Sequence, residues 1–492
     1  MSTEVHPLLK RTRDIEQMVP YWQKVDAIVE GYESVKAHRT KFLPKFPDES
    51  ESEYENRIEN TKFTNIYRDV LEGLATKPFE QNVTLVAGEK QEIPEEMEDF
   101  ADDVDGIGNN LSMFSALTFF NGINNAIEWI FIDHPIVDKN VIRSKKDQKE
   151  ANIRPFWTHV LAKNVLEVRW KSVGAKMKIS YFRMFEPSDG ETPDAVRVFK
   201  LINNTVIWEL HQKNEKAKTI DEQFVMVESG EISIGVIPFV PFATGRRDGN
   251  SMKFYPPMQD AADLQITLYR NESALEFIKT MACYPMLAAN GMKPEKNADG
   301  TPKKLAVGPM RVLYGLPDGQ GNHGEWKFVE PNANSMEFMQ KNIDKTKQDL
   351  RELGRQPLTA LSTQLTTVTT SIAAGKARSA VSAWAFALKD SLENALEITM
   401  MFMGVKNLDL QVNVYTGFDN VSGNSEDLEE LGKARERGDI SLETYLFELQ
   451  RRKVLAPEFK ISEEIVKLLS EIPSDETEES PIIQDSADED DT

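Results

Sequence analysis

The sequence predicts an α+β fold that is mainly helical. Three observations carry this: apolar residues at helical spacing through the first third, an alternating apolar–polar pattern from about Phe156 to Phe242, and long helical periods again from Pro256 onward. With 492 residues, 40% of them hydrophobic and 28% charged, the chain is long enough for two to four domains, because single cores rarely grow past ~250–300 residues.

Pro20 is suited to the first turn of a helix carrying Val25, Ile28, Val29, Tyr32 and Val35. After a loop with Pro44 and Pro47, Ser50-Glu-Ser-Glu53 reads as a capping box for a second helix, with Tyr54, Ile58, Ile66, Val70 and Leu74 on one face. A third helical stretch covers roughly Ser112 to Ile127. In the alternating section, Met177, Ile179 and Tyr181 interleave with Lys176, Lys178 and Ser180. Asn203-Asn204 and Ser229-Gly230 read as hairpin turns. Helices are expected over Pro256–Cys283, Ser335–Gly354 and Ser371–Met403, with a glycine-punctuated β-like insert between the first two. Leu408–Tyr415 reads as a strand and about Ser425–Leu469 as a compact helical unit. Ser474–Thr492 holds nine Asp/Glu and no Lys/Arg, the composition of a solvated, disordered tail.

The formal net charge of −22 argues against a protein that coats duplex DNA, since neutralising phosphates takes Lys and Arg. A conduit is another matter, because tight binding would act as a brake. Cys283 is the only cysteine, so neither an intrachain disulfide nor a cysteine-based zinc site can form. The residues from Met1 to Arg11 lack the apolar run of a signal peptide. No stretch reaches the ~18–20 apolar residues of a membrane span, so a soluble chain with no membrane partner is expected.

Signatures of catalysis fail on inspection. Ala373-Ala-Gly-Lys-Ala377 resembles the end of a phosphate loop, but Thr370 stands where its first glycine belongs and Ala377 where the Mg²⁺ hydroxyl belongs. An ordinary helix start is expected there. Asp103-Val-Asp-Gly106 lacks the first and last carboxylates of a calcium loop. The six histidines are scattered, and neither a Gly-x-Ser-x-Gly elbow nor a His-Glu-x-x-His pair occurs. No cofactor, metal or catalytic residue is expected.

The middle of the chain carries a resemblance. Arg154-Pro-Phe-Trp157 with Asn164-Val-Leu-Glu-Val-Arg-Trp170, then Ile237-Pro-Phe-Val-Pro-Phe242 with Pro256-Pro-Met-Gln-Asp-Ala-Ala-Asp-Leu264 and Tyr269, resembles the portal (head–tail connector) family of tailed bacteriophages. Pro285-Met-Leu-Ala-Ala-Asn-Gly291, Leu305-Ala-Val-Gly-Pro309, Leu350-Arg-Glu-Leu-Gly354, Gly438-Asp-Ile-Ser-Leu-Glu-Thr-Tyr-Leu446 and Leu449-Gln-Arg-Arg-Lys-Val-Leu455 extend it over roughly residues 20–460. Order and spacing make the match rather than any one motif. The acidic tail departs from the pattern, and 80–110 and 210–235 show little of it.

The resemblance implies a ring-forming portal fold of wing, stem, clip and crown. The wing would take 1–256 and, with its long helix and a strand, 371–424. The stem would take 257–283 and 335–354, the clip 284–334, a tunnel loop 355–370 and the crown 425–473. It implies a homo-oligomer, a dodecamer in the family, at the unique capsid vertex of the virion, assembled in the host cytoplasm. Double-stranded DNA would pass through it during packaging, retention and ejection. The clip, with Met310, Arg311, Leu313, Tyr314 and Trp326 as candidate contacts, would meet the terminase large subunit and later adaptor or neck proteins. Major capsid and scaffold proteins would surround it. The alternatives are another structural virion protein, minor head or scaffold-related, and a nucleic-acid enzyme.

The residues of the second stem helix separate into two faces. Met336, Met339, Ile343, Leu350 and Leu353 form a seam, and at about 100° per residue Lys341, Lys345 and Arg355 cluster nearly opposite, with Lys347 falling near the seam. In a ring, Lys341 and Lys345 would stack as cationic tiers facing DNA; the other reading is a solvated outer face with i,i+4 partners. The segment 355–370, with Gln356, Thr363, Gln364, Thr366 and Thr367, offers hydroxyls and amides that bond phosphate without deep Coulomb wells. An ordinary connector, or a helix with threonine on its exposed face, is the alternative there.

Overall fold

The computed structural model describes residues 5–88, 91–135, 151, 153–283, 286–290, 292–293, 296–297, 316–317, 325–329, 333–353, 367–406, 408–416, 425–451, 454–455, 459, 461, 464–465 and 467–468. The chain divides into a unit over Met1–Thr416 and a second over Gly417–Thr492. Helix accounts for 48% and strand for 23%, so the fold is α+β with helix in excess.

Five helices precede the first long strand: α1 Arg13–Glu30, α2 Tyr32–Ala37, α3 Glu51–Asn60, α4 Ile66–Ala75 and α5 Glu95–Asp102, with strand β1 Thr84–Ala87 between the last two. α1 starts seven residues before Pro20, which lies inside the helix rather than in its first turn. Burial outweighs the lost hydrogen bond, because Ile15, Met18, Tyr21, Trp22, Val25 and Ile28 form one unbroken buried stripe. The capping box of α3 is present, Ser50 Oγ accepting from Glu53 N while Glu53 accepts from Ser50 N.

Helix α6 (Leu111–Asn125) ends two residues earlier than its apolar run suggests. Ala126 adopts a left-handed φ of 71° and turns the chain directly into β2 (Ile127–Asp133). β3 (Phe156–Val160) follows, then β4 (Val165–Val173), β5 (Lys176–Glu186), β6 (Ala195–Ile202), β7 (Thr205–Lys213), β8 (Phe224–Ile232) and β9 (Phe239–Ala243). These strands build two sheets rather than one section: an antiparallel five-stranded sheet in the order β4-β5-β6-β7-β8, and a three-stranded sheet β3-β2-β9. Asn203 and Asn204, at φ 49° and 64°, make the two-residue turn between β6 and β7. Ser229-Gly230 is not a turn but the middle of β8. Glycine is required there by packing: a Cβ at Gly230 would stand 2.7 Å from Trp208 Nε1 on the neighbouring strand.

The sheets pack through aromatic rings. Phe239 of β9 stacks on Phe182 of β5 at 3.8 Å and on Phe131 of β2 at 4.5 Å, and Trp129 meets Phe182 edge-on at 5.0 Å.

A short pair, β10 (Arg246–Arg247) with β11 (Phe254–Tyr255), leads into α7 (Gln259–Cys283). Beyond α7, β12 (Met286–Asn290), β13 (Met292–Lys293), β14 (Leu316–Pro317) and β15 (Glu325–Val329) form two antiparallel pairs, β12–β15 and β13–β14. Helices α8 (Ala333–Leu353) and α9 (Thr367–Met403) follow, then β16 (Leu410–Asn413). α9 begins at Thr367, so the last four residues of the expected loop are helical, and Ala373–Ala377 lies within the helix. β16 pairs with β1, a strand in a segment whose sequence shows little pattern.

α9 rests on the three-stranded sheet. Trp157 Nε1 donates to Thr399 Oγ1 at 2.8 Å and Ser391 Oγ to the Pro241 carbonyl at 3.0 Å. In the second unit, α10 (Ser425–Glu436) and α11 (Leu442–Arg451) form a helical hairpin turned at Gly438 (φ 78°) and capped by Ser441 Oγ on Thr444 N.

Two stability predictions follow from this packing. A Cβ at Gly122 of α6 would stand 2.2 Å from the Phe242 ring, so Gly122→Ala should destabilise by about 1–3 kcal/mol, and less in a Phe242→Leu background; denaturant melts measure both. Glu128 on β2 is fully buried, its carboxylate accepting from Asn121 Nδ2 at 3.3 Å. Burial pushes its pKa well above the ordinary range, outweighing Asn121, the Ala162 backbone and Lys163. Its contribution to stability is full below an unfolded-state pKa of about 4.3 and is lost as pH rises toward the folded value. Glu128→Gln should therefore raise the melting temperature at pH 7 and leave it unchanged near pH 4.

Candidate functional site

Helices α7 and α8 form an antiparallel pair. Met286, just past α7, lies opposite Val329, just before α8, and the side chains meet again where Lys347 Nζ reaches Glu272 Oε1 at 3.1 Å. The contact lies at a similar distance from both ends, as antiparallel packing requires.

The sequence explains the pairing only in part. On α7, Ala261, Ala262, Ile266, Leu268 and Leu275 are buried, and on α8 Ile343 and Leu350. Gln265, Glu272 and Ser273 are buried on the same α7 helix, and each has partners on or between helices α3 and α4. Gln265 Oε1 accepts from Ile66 N (3.1 Å) and Tyr67 N (3.0 Å), and its amide donates to the Thr64 carbonyl at 2.8 Å, satisfying the free N–H groups at the start of α4. Glu272 accepts from Thr64 N at 3.1 Å and Thr64 Oγ1 at 2.6 Å. Ser273 Oγ accepts from Arg57 Nη1 at 3.1 Å and from Thr61 Oγ1 at 2.9 Å. Arg57 also grips Glu49 through Nε (2.7 Å) and Nη2 (2.8 Å), and this guanidinium holds the Glu49 carboxyl below its usual pKa.

Lys347 thus leaves the exposed side of α8 and becomes a partner of Glu272. That accounts for its place near the seam.

The opposite face of α8 is exposed, and it is not purely basic. Lys341 pairs with Glu337 at 2.8 Å, one turn away, as the solvated-face reading has it. Lys345 is exposed and has no carboxylate within ion-pair distance among the described residues. Gln348 then bonds Glu352 at 3.0 Å. The face reads Glu337, Lys341, Lys345, Gln348, Glu352: a ladder of two lysines with an acid at each end, in a helix whose four acids balance its four bases.

Trp326 is half-buried on β15 opposite Ala289, on the strand pair that precedes α8 rather than on the ladder. Thr367 opens α9. Arg355, Gln356, Thr363, Gln364 and Thr366, and Met310, Arg311, Leu313 and Tyr314, lie outside the described residues, as does the acidic segment 474–492. The buried residues Gln265, Glu272 and Ser273 were missed by periodicity; only for Glu272 did the sequence hold a signal, its partner Lys347, a cation out of place near the seam.

Among the described residues no group of three His, Cys, Asp or Glu side chains is placed to hold a metal ion, and no helix is long and apolar enough to cross a membrane. The Asp103 and Asp105 carboxylates are occupied locally. Asp103 accepts from Gly106 N, Gly108 N and Arg154 Nη2, and Asp105 from Ile107 N and Asn109 N.

Residues 257–403, which run from the start of α7 to the end of α9, match a family model described as a domain of unknown function, DUF4055. No curated protein matches the chain. Similar solved structures include the neck of a native gene transfer agent particle computed with C12 symmetry, at TM-score 0.40 and 11% identity, covering 78% of this chain and 89% of that one. The neck of an empty particle computed with C6 symmetry gives 0.42 and 10%, covering 78% and 90%. The virion of the native particle gives 0.35 and 12%, covering 82% and 88%. At these TM-scores the likeness says nothing about function.

Removing Glu272 should leave Lys347, Thr64 N and the Thr64 hydroxyl without their partner. Glu272→Ala is expected to cost about 2–4 kcal/mol and Lys347→Met at least as much, because the latter leaves a buried carboxylate without its counter-charge, and the double variant less than the sum of the two; equilibrium unfolding measures all three.

Proposed function

We propose that the chain is a phage portal subunit, a homo-oligomeric ring at the capsid vertex through which double-stranded DNA is packed, held and released. The resemblance over the aromatic strands and the start of α7 supports the family. The observation that carries the reading is the α7–α8 pair, fastened on one side through Glu272, Ser273 and Gln265 and presenting on the other the ladder with Lys345 at its centre. A bore for moving DNA needs contacts that are many, shallow and mixed in sign. An exposed Lys–phosphate contact in water is worth about 1 kcal/mol, and the acids at 337 and 352 flank it. The −22 net charge opposes tight binding elsewhere on the ring. The segment between α7 and α8 is the part assigned to terminase and, later, to head–tail adaptors.

Purified full-length protein should form rings with an axial opening in negative stain; a chain that stays monomeric at high concentration ends this reading and returns the protein to the other structural virion components. Lys341→Gln/Lys345→Gln should leave the rings intact and change the fraction of particles filled with DNA. Unchanged filling would remove the ladder from the bore.

A further inference from the structure

The two outer strands of the five-stranded sheet, β4 and β8, carry opposite charge. On β8, Val225, Met226 and Val227 are exposed in succession, followed by the exposed Glu228 and Glu231. On the other edge the first half of β4 is covered, Thr12 N donating to the Leu166 carbonyl at 3.1 Å. Its second half and the following turn are open. Residues 169–178 hold Arg169, Lys171, Lys176 and Lys178 and no acid, with Val173 and Met177 exposed beside them. Arg169 is paired within its own strand to Glu167. Among the described residues Lys171, Lys176, Glu228 and Glu231 have no ion-pair partner.

Open strand edges invite unwanted pairing, and charges and bulges blunt them. Val227 is such a bulge, lying where the β7–β8 register shifts between Leu210 and His211. Here the charges also discriminate. β8 against β8 sets acid on acid, and β4 against β4 sets base on base; only β8 against β4 attracts. A contact between two different edges is heterologous, and repeated contacts of that kind close into a ring when the rotation permits. Because every neighbour in the sheet is antiparallel, β4 and β8 run the same way, so head-to-tail copies would meet edge to edge in parallel. The register places Arg169, Tyr181, Lys200, Ile207 and Glu231 in one cross-strand row. Glu231 thus lies level with Arg169, at the start of the basic stretch, and Glu228 with Val165, in the covered half.

We propose that the β8 edge of one copy docks on the exposed half of β4 and the β4–β5 turn of the next copy, displaced along the strands by about six residues, roughly 20 Å, from the level register, so that Glu228 and Glu231 meet Lys171 and Lys176 with the exposed apolar residues between them and this sheet is a lateral joint of the ring. The joint rests on the ring reading above, and its test separates the two. Full-length wild type, Lys171→Glu/Lys176→Glu, Glu228→Lys/Glu231→Lys and the four-fold variant are compared by mass photometry over a dilution series, with thermal melts as a check on folding. Each charge-reversed pair should raise the concentration needed for half-assembly by about tenfold or more, and the four-fold variant should recover most of the loss. Wild-type assembly should also weaken as salt rises from about 0.05 to 0.5 M, because exposed charges are screened. Rings indifferent to both reversed pairs, a four-fold variant no better than either pair, or assembly independent of salt would overturn the joint while leaving the ring in place. A wild type that never assembles overturns both.

Discussion

The Glu272 carboxylate is the constraint on which the arrangement of the helices depends. It is 5% exposed, and a carboxylate that far from water is tolerated only when hydrogen-bonded and paired. Its partners come from two separate elements, the Thr64 backbone and hydroxyl ahead of α4 and the Lys347 ammonium on α8. An apolar seam such as Ile343 and Leu350 against α7 tolerates small slides and rotations. A polar cluster that must be fully satisfied does not. Holding Lys347 inward also sets the rotation of α8: Lys345, two residues earlier and about 200° around the helix, must face away.

The same logic operates around α9, with aromatic surface in the larger role. β9 lies on one side of the small sheet against Phe131 and Phe182 and takes α9 through the Ser391–Pro241 bond, across 150 residues of sequence. Trp157 buries its ring against Phe100 and Phe114 and spends its one N–H on Thr399, 242 residues away. The helices and sheets that precede α7 are met again by α9, and both anchor points, at Glu272 on α7 and at Ser391 and Thr399 on α9, are buried polar bonds set inside apolar packing.

Much of the fold was legible because long periods survive context. α7, α8 and α9 lie where helical spacing puts them, the Ser50–Glu53 box caps its helix, and Asn203-Asn204 turns its hairpin. The failures share a cause: local preference yielded to distant packing. Pro20 is carried inside α1 by a stripe it does not interrupt. Gly230 marks a close approach to Trp208, which no local pattern reveals, since the partner lies on another strand. β1 is too short to show a period and exists because β16 pairs with it. At the site, the outward position of Lys341 and Lys345 was readable from the helical wheel. The pairing of Lys341 with Glu337 was available as the ordinary i,i+4 alternative, and that alternative holds for this one lysine.

Charge in this chain is segregated by task. Where it is buried, as at Glu272 or Arg57–Glu49, it sets geometry and each pair matters singly. Where it is exposed, as on the α8 ladder or the outer strands of the five-stranded sheet, a single pair is worth only about 0.2–1 kcal/mol and decides nothing in one molecule. Symmetry changes that arithmetic. In the proposed ring a repeated contact would act once per subunit, and an outward lysine would become a tier of them. Weak, exposed, screened charges would then be the useful kind: they would let copies find the correct edge and let a polyanion slide, whereas pairs as strong as the buried ones would trap both.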